Sequence, residues 1–189
     1  ASGSDVLQSA YSIRVATDPK FSSSGTVWKT GKVSSGESTF VTYEGKQLVS
    51  GKRYYWQVRI WDNKGKASGW SKTSYWETGL MNPSGWSAKW IELEGDTLRY
   101  GPAPHFRKEF SLARTVSKAR VYVTSHGFFE LYINGRKVGD EVLAPGWTSY
   151  GKRLQYRVYD VTSMLKSGPN CVGAVLGDGW YRGTLAWGD

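Results

Sequence analysis

The residues of this sequence that could bind a ligand are aromatic rings beside glycines and charged side chains. The segment LAPGWTSYGKR carries Trp147 and Tyr150 next to Lys152 and Arg153, after a predicted strand. Aromatic rings held at the end of a strand can stack on a flat partner, so this loop is a candidate ligand surface. The later segment GDGWYRG is also rich in glycine and aromatic residues, but it lacks the spacing and the following helix of a phosphate-binding loop.

Other kinds of site are not indicated by the sequence. Cys171 is the only cysteine, so the chain has no intrachain disulfide and no cysteine-based zinc site, and its segment CVGAVLG predicts a buried strand. His105 and His126 lie far apart and lack the spacing of metal ligands. No HExxH, GxSxG or EF-hand loop is present. The sequence therefore predicts no catalytic nucleophile, no metal site and no resident cofactor.

The composition is typical of a globular protein rich in β-structure. Among 189 residues, 22% are charged and 15% are aromatic, with ten tryptophans and 23 glycines. The formal net charge of +9 would suit nucleic acid or an acidic polysaccharide, but the basic residues are scattered, with no run longer than two. We interpret these basic side chains as part of a solvated surface and expect no nucleic-acid partner.

No membrane association is predicted from the sequence. No apolar run approaches the roughly 18 to 20 residues of a membrane span. The first ten residues, ASGSDVLQSA, have neither the basic region nor the apolar core of a signal peptide. A mature or trimmed chain would look the same, so both an extracytoplasmic and a cytoplasmic location stay open.

Alternating side chains in the second half predict an all-β fold. In FFELYI, Phe129, Leu131 and Ile133 point to one face, which is the period-2 pattern of a half-buried strand. Asn134-Gly135 follows directly and predicts a tight hairpin, because both residues tolerate positive φ. Only one brief helical turn is predicted, in DVTSMLK just before Gly168-Pro169.

The first 79 residues predict a series of short strands with Trp28, Trp56 and Trp76 in their core. The spacing of Leu48, Gly51 and Tyr54 resembles the approach to strand F of fibronectin type III domains. This resemblance implies that Tyr54 is a tyrosine corner, with a buried ring and a hydroxyl bonded to upstream backbone. The predicted strand segments are SAYSIRVAT, TVWKTGKV, STFVTYEG, LVSGKRYYWQVRIWD and SKTSYWETG.

In that alignment SAYSIRVAT is strand C, so strands A and B are absent and the sandwich is incomplete. An incomplete sandwich exposes an apolar face and a bare strand edge. We expect these surfaces to be covered by the second domain, by another copy of the chain, or by domain swapping. Self-association through exposed strand edges is therefore a further hypothesis.

A longer resemblance covers nearly the whole chain, from about Tyr11 to Gly183. The motifs that carry it, in order, are RYYWQVRIWDNKG, ETGL, FRKEF, VGDEVLAPGWTSYGKR, YDVTSMLKSG and GDGWYRG. Together they resemble the N-terminal region of bacterial α-L-rhamnosidases of glycoside hydrolase family 78. The resemblance implies a partial fibronectin type III-like sandwich over residues 1–79, a linker over 80–90, and a truncated galactose-binding-like jelly-roll sandwich over 91–189.

The same resemblance implies that the catalytic carboxylates lie elsewhere. In this family they belong to an (α/α)6 barrel, and no paired long helices are predicted here. Inverting hydrolysis needs an acid and a base carboxylate about 6.5 to 9.5 Å apart. We therefore expect no catalytic residue and no hydrolysis by this chain alone, and the missing barrel is its expected partner. The acidic residues considered, all in predicted strands and turns, are Glu109, Glu130, Asp140, Glu141 and Asp178.

The resemblance also implies a rhamnose-containing glycan as a partner. Modules of this kind in some rhamnosidases bind rhamnose, in places with calcium. The apolar methyl side of rhamnose suits an indole face, and its hydroxyls suit Asp and Arg. The candidate carbohydrate-binding residues are Trp147, Tyr150, Asp178, Trp180, Tyr181 and Arg182.

Two readings of these six residues stay open. In one, the chain is a scaffold in which Trp147 and Trp180 fill the core or contact the missing barrel. In the other, it is an autonomous sugar-binding module. No calcium-binding motif can be matched residue by residue, so calcium enters only through the resemblance.

Overall fold

The computed structural model describes residues 5–95 and 101–183. The chain divides into two compact units, the first ending at Lys89 and the second beginning at Trp90. Both units are built from antiparallel strands with only single turns of helix between them, which confirms the predicted all-β class. In the described ranges, no helix is long and apolar enough to span a bilayer.

The described strands of the first unit form one antiparallel sheet. They are β1 (Gln8–Ala16), β2 (Thr26–Lys29), β3 (Val33–Ser34), β4 (Arg53–Asp62) and β5 (Ser74–Glu77). The spatial order is β2-β1-β4-β5, and β3 also pairs with β1. A complete sandwich needs a second sheet facing the first. The described part of this unit therefore agrees with the predicted incomplete sandwich.

Tyr54 in β4 is the predicted tyrosine corner. Its side chain is 2% exposed, and its ring stacks on Trp76 of β5 with centroids 5.8 Å apart. The Val49 amide donates a hydrogen bond of 2.9 Å to the Tyr54 hydroxyl. The bond joins the loop before β4 to the centre of the sheet, because β4 is paired on both sides.

The segment STFVTYEG was predicted to be a strand, and this prediction is wrong. Residues 38–45 lie outside the strands, and Phe40 is fully exposed with φ of +57°. A positive φ interrupts extended backbone. Tyr43 instead donates a hydrogen bond from its hydroxyl to the Lys46 carbonyl at 2.7 Å, and its ring packs edge-on against Trp28. Alternation alone did not reveal this local turn.

The strands described in the second unit form two sheets. They are β6 (His105–Leu112), β7 (Arg120–Val123), β8 (Phe128–Ile133), β9 (Arg136–Val138), β10 (Arg157–Asp160) and β11 (Gly168–Gly177). One sheet has the order β6-β11-β8-β9, and the other pairs β7 with β10. The positive φ values of Asn134 (+51°) and Gly135 (+79°) confirm the predicted tight turn between β8 and β9.

The core of the second unit lies against one face of β8. Phe129, Leu131 and Ile133 are 4 to 5% exposed, which confirms the period-2 prediction. Partly buried residues of β7 and β11, including Val121 and Val172, pack against them, so the core joins the two sheets. Burying each large apolar side chain is worth roughly 1.5 to 3 kcal/mol. This core fixes the positions of both ends of β8.

Two asparagines hold the far end of this core. The Asn134 side chain donates to the Asn170 Oδ1 and to the Met164 carbonyl, both at 2.9 Å, and its Oδ1 accepts from the Cys171 amide. Asn170 is 3% exposed and donates to the Lys166 carbonyl at 2.7 Å. Buried polar groups are costly unless they are bonded in this way. The amides therefore lock the turn to the start of β11.

A short helix follows β11, where the sequence predicted a loop. It is α1 (Gly179–Arg182), a single turn in which the Arg182 amide donates to the Asp178 carbonyl at 3.3 Å. Its sequence, GWYR, is too short for helical periodicity to be recognised. The turn places Trp180 and Tyr181 just beyond the edge of the sheet.

Candidate functional site

The candidate site lies where β8 begins and β11 ends. These strands are antiparallel neighbours, and Phe128 at the start of β8 pairs with Gly177 at the end of β11. The residues just before Phe128 and just after Gly177 therefore emerge at the same edge. The loop that follows β9 reaches this edge too, because the Phe129 amide donates to the Ala144 carbonyl at 2.8 Å.

Gly127 allows the two chain segments to come this close. Its φ is +73°, and a Cβ placed there would lie 2.3 Å from the Gly177 carbonyl oxygen and 2.6 Å from that of Asp178. A side chain at this position would push β8 and β11 apart. The approach brings His126 next to the residues of α1.

Two indoles meet on one side of the site. The rings of Trp147 and Trp180 are stacked, with centroids 5.5 Å apart and an interplanar angle of 23°. Phe128 meets Trp180 edge-on, with centroids 4.9 Å apart. Trp147 comes from the loop after β9 and Trp180 from α1, so this stack joins the two candidate segments of the sequence.

A second group of rings is centred on His126. Its imidazole stacks between Trp90 and Tyr181, with centroid distances of 4.8 Å and 4.2 Å. Tyr150 meets both His126 and Tyr181 edge-on, at 6.0 Å and 5.4 Å. The Tyr150 hydroxyl is buried and has no hydrogen-bond partner in the described part of the chain.

These rings form a surface that is largely open to solvent. Trp90 is 61% exposed, Trp147 59%, Tyr181 48% and Trp180 36%. Isolated exposed aromatics are common on proteins, but a contiguous group usually marks an interaction site. We call it the aromatic surface, and it comprises Trp90, His126, Phe128, Trp147, Tyr150, Trp180 and Tyr181.

A small pocket lies beside these rings. Its volume is about 220 Å³, and its walls are residues 101–104, 176–178 and Arg182. The Asp178 carboxylate lies 3.8 Å from Arg182 Nε, and both side chains are partly exposed. A carboxylate, which accepts hydrogen bonds, and a guanidinium, which donates several, can together bind hydroxyl groups in one pocket. The pocket is therefore the polar part of the site.

The structure thus divides the six predicted residues between two environments. Trp147, Tyr150, Trp180 and Tyr181 belong to the aromatic surface, whereas Asp178 and Arg182 line the pocket. His126 and Phe128 were not predicted at this site because their positions depend on the β8–β11 register, and Trp90 was not predicted because it joins the site by stacking on His126. The motif SHGFF gave one signal, since a glycine next to a strand often marks close backbone approach.

The carboxylates with shifted pKa values are all poor candidates for a general acid. Hydrogen bonds from Lys137 and Tyr132 lower the pKa of Glu130, and those from Thr162 lower the pKa of Asp160. A hydrogen bond from Ser22 lowers the pKa of Asp18. A glycosidase acid needs the opposite shift, because it must hold a proton near neutral pH.

Two family models match the chain. The model described as "Alpha-L-rhamnosidase N-terminal domain" matches residues 114–189. The model described as "Rha78A-like, N-terminal immunoglobulin domain" matches residues 1–82. The first includes most of the aromatic surface, and the second includes every strand of the first unit.

Individual proteins agree with these models. An α-L-rhamnosidase of Formosa agariphila is 42% identical over 96% of this chain and 21% of its own length. The structure of an α-L-rhamnosidase from Dictyoglumus thermophilum matches with a TM-score of 0.85 and 42% identity, over 94% of this chain and 22% of that one. One from Aspergillus terreus matches with a TM-score of 0.80 and 33% identity, over 99% of this chain and 21% of that one. The chain thus spans about a fifth of the length of these relatives.

Proposed function

We propose that this chain, which belongs to the α-L-rhamnosidase family and matches its N-terminal region, supplies such an enzyme with two non-catalytic β-domains. In this proposal the aromatic surface packs against the part of the enzyme that carries the catalytic groups. The parent enzyme would hydrolyse terminal α-L-rhamnosides, and this chain would act as its scaffold.

The observation that carries the proposal is the exposure of four aromatic side chains within one cluster. Large aromatic residues are enriched at the buried centres of protein interfaces, where each can contribute 2 kcal/mol or more, by typical estimates. The rings are already ordered by stacking on one another, so little conformational entropy is lost when a partner covers them. A partner surface of apolar character fits this arrangement best.

The lengths of the relatives support this choice of partner. About four fifths of the Formosa agariphila enzyme lies outside the region that this chain matches. Glu130 and Asp160 have lowered pKa values and bonded partners, which does not suit the general acid of such an enzyme. The hydrolytic groups would therefore belong to the remaining length, and that part is the proposed occupant of the aromatic surface.

The test uses a chimera in which this chain replaces the matched region of the Formosa agariphila enzyme. Trp147→Ala in the chimera should lower its stability by about 2 kcal/mol and reduce hydrolysis of an aryl α-L-rhamnoside. The same change in the isolated chain should cost less than about 1 kcal/mol, because Trp147 is mostly exposed there. Phe40→Ala is the matched control, since Phe40 is fully exposed in the other unit.

Equal effects of Trp147→Ala in the chimera and in the isolated chain would reject the interface. The isolated chain should not hydrolyse the aryl rhamnoside at all. Measurable turnover by the purified chain would contradict the non-catalytic assignment directly.

The second candidate function is recognition of rhamnose at the pocket. Its support is that Asp178 and Arg182, on either side of Trp180 in the sequence, line a pocket of about 220 Å³. The carboxylate and guanidinium would bind sugar hydroxyls, and the indole would contact the methyl group. Calcium, if it takes part, would be bound through Asp178.

Calorimetric titration with L-rhamnose, with and without calcium, tests this second candidate. Binding should weaken at least about tenfold in Asp178→Asn, because a charge-assisted hydrogen bond is lost. Glu44→Gln, which changes an exposed carboxylate in the other unit, is the control. An absence of heat at millimolar sugar would reject sugar recognition and leave the scaffold role.

A further inference from the structure

One face of the first unit carries an alternating stack of cations and aromatic rings. Arg14 lies between the rings of Phe21 and Trp70, and Arg59 lies between Trp70 and Trp61. The distances from each cation to the ring centroids are between 4.3 and 5.1 Å. We call this stack the arginine–aromatic ladder, and its members in order are Phe21, Arg14, Trp70, Arg59, Trp61 and Lys32.

The register of the sheet builds the ladder. Ser12 of β1 lies opposite Arg59 of β4, and Arg14 lies opposite Gln57, so these side chains share one face. Trp70 is held over that face because the Ser71 amide donates to the Val58 carbonyl at 2.8 Å. The ladder covers small residues of β1, and Ser12 beneath it is fully buried. The ladder itself is half-buried, with Lys32 exposed at one end.

The guanidinium groups of Arg14 and Arg59 stack on the rings with their flat faces. Their N–H donors lie in the guanidinium plane and therefore point out of the stack. Arg14 donates from both Nε and Nη2 to the Gln57 Oε1, which is a neutral acceptor. The Nε of Arg59 is buried and has no hydrogen-bond partner among the described residues. Terminal guanidinium N–H groups that are not paired with a carboxylate are suited to bind an anion.

A third stacked arginine on the same sheet provides a contrast. Arg53 lies 4.2 Å from the centroid of the Tyr75 ring, and Glu77 binds it through a salt bridge of 3.0 Å. That carboxylate raises the pKa of Arg53 further. Here the protein provides its own anion, whereas no salt bridge to Arg14 or Arg59 is found in residues 5–95 and 101–183.

Acidic residues close to the ladder are engaged in turns. The carboxylate of Asp18 accepts hydrogen bonds from the Ser22 hydroxyl at 2.7 Å and from the Lys20 amide at 2.9 Å. Asp62 accepts from the amides of Lys64 and Lys66 at 2.9 and 2.8 Å. The whole unit up to Lys89 contains twelve Lys and Arg against six Asp and Glu, a formal charge of +6. The unit therefore carries a net positive charge, and among the described residues no carboxylate forms an ion pair with Arg14 or Arg59.

We propose that the arginine–aromatic ladder binds an anionic polysaccharide through carboxylate or sulfate groups. The edges of Arg14 and Arg59 would bind the anions, and the exposed parts of Trp61 and Trp70 would contact the sugar rings. Polysaccharide is favoured over nucleic acid because the chain belongs to a family of glycosidases, and only this choice depends on the family. The ladder lies in the first unit, so its test is independent of those for the aromatic surface and the pocket.

The experiment is affinity electrophoresis of the full chain in gels containing polygalacturonate, dextran sulfate or neutral dextran. We expect retardation by one or both polyanions, weakening as salt rises, and none by neutral dextran. Stronger retardation by polygalacturonate would identify the bound group as a carboxylate, and stronger retardation by dextran sulfate would identify it as a sulfate ester. The double variant Arg14→Lys and Arg59→Lys keeps the charge but loses the planar fork, so its affinity should fall about fivefold or more.

The matched control is the double variant Lys64→Gln and Lys66→Gln, which removes two charges from an exposed turn. Its affinity should change less than about twofold. Circular dichroism shows whether the arginine variant is folded. If it is not, Lys32→Gln, at the exposed end of the ladder, is the second test, and it should also weaken binding. No retardation, a loss in the control as large as in the ladder variants, or tighter binding to double-stranded DNA than to both polyanions would overturn the proposal.

Discussion

The hydroxyl of Tyr54 anchors the loop before β4 from within the core. We predict that Tyr54→Phe lowers the free energy of unfolding by about 1 to 3 kcal/mol, because the Val49 amide loses its acceptor while the ring still fills the core. Chemical denaturation followed by tryptophan fluorescence measures this. Tyr75→Phe is the control, since Tyr75 is 59% exposed and should change stability by less than about 0.5 kcal/mol.

Gly127 gives a second prediction at the scale of one residue. Gly127→Ala should lower the free energy of unfolding by about 3 kcal/mol or more, because strain at positive φ adds to a clash with the Gly177 carbonyl. Gly135→Ala has a similar φ of +79° but open space around its Cβ, so it should cost only about 1 to 2 kcal/mol. Equal losses in the two variants would show that close approach at Gly127 is unimportant.

The strand elements were largely predictable, because their signals are local. Alternation in FFELYI and the Asn134-Gly135 pair determine a hairpin without reference to distant residues. The tyrosine corner follows from a spacing of only a few residues. In contrast, Phe40 lies in an alternating segment that turns away from the sheet, and its positive φ has no glycine or asparagine to indicate it.

The composition of the candidate site was only partly predictable, for a related reason. Trp147 and Trp180 lie in motifs that are visible in the sequence, so they could be named. His126 joins them through the pairing of β8 with β11, which connects residues nearly 50 positions apart, and Trp90 joins them by stacking on His126. Sequence periodicity identifies each strand but does not show which distant strand it pairs with.

The end of β10 is an element whose stability should depend on pH. The Asp160 carboxylate accepts bonds from the Thr162 hydroxyl and amide and forms a 2.7 Å ion pair with Arg120, which together lower its pKa below 3.8. A lowered pKa means that this stabilisation is present above pH 3.8 and is lost as the pH falls through the folded-state pKa. We predict that wild type is more stable than Asp160→Asn at pH 7, and that the difference shrinks as the pH falls below 3.8 through the lowered pKa of Asp160.

Denaturant titrations of both proteins at a series of pH values measure this difference. The comparison between variants is needed because Glu130, also with a lowered pKa, contributes in the same direction. A difference that stays constant down to the lowest pH would mean that ionisation of Asp160 does not contribute.

At the scale of the whole molecule, the two units contain separate buried residues. Tyr54 and Val15 are buried in the first, and Phe129 and Leu131 in the second. Separate cores of this kind can unfold as separate cooperative units. We predict that calorimetry resolves two transitions, and that Tyr54→Phe shifts one of them while Gly127→Ala shifts the other. A single transition shifted by both variants would contradict this.

The amide network around the β8–β9 turn has a chemical consequence for the lifetime of the protein. An asparagine followed by glycine is prone to deamidation, in which the glycine backbone nitrogen attacks the asparagine side-chain carbonyl carbon. Here the Asn134 amide is bonded at both its nitrogen and its oxygen, so the side chain is not free to rotate into the geometry of attack. Stored folded protein should therefore keep Asn134 intact. Peptide mass spectrometry would detect aspartate or isoaspartate at this position, and the rate of its appearance would measure how often the turn opens locally.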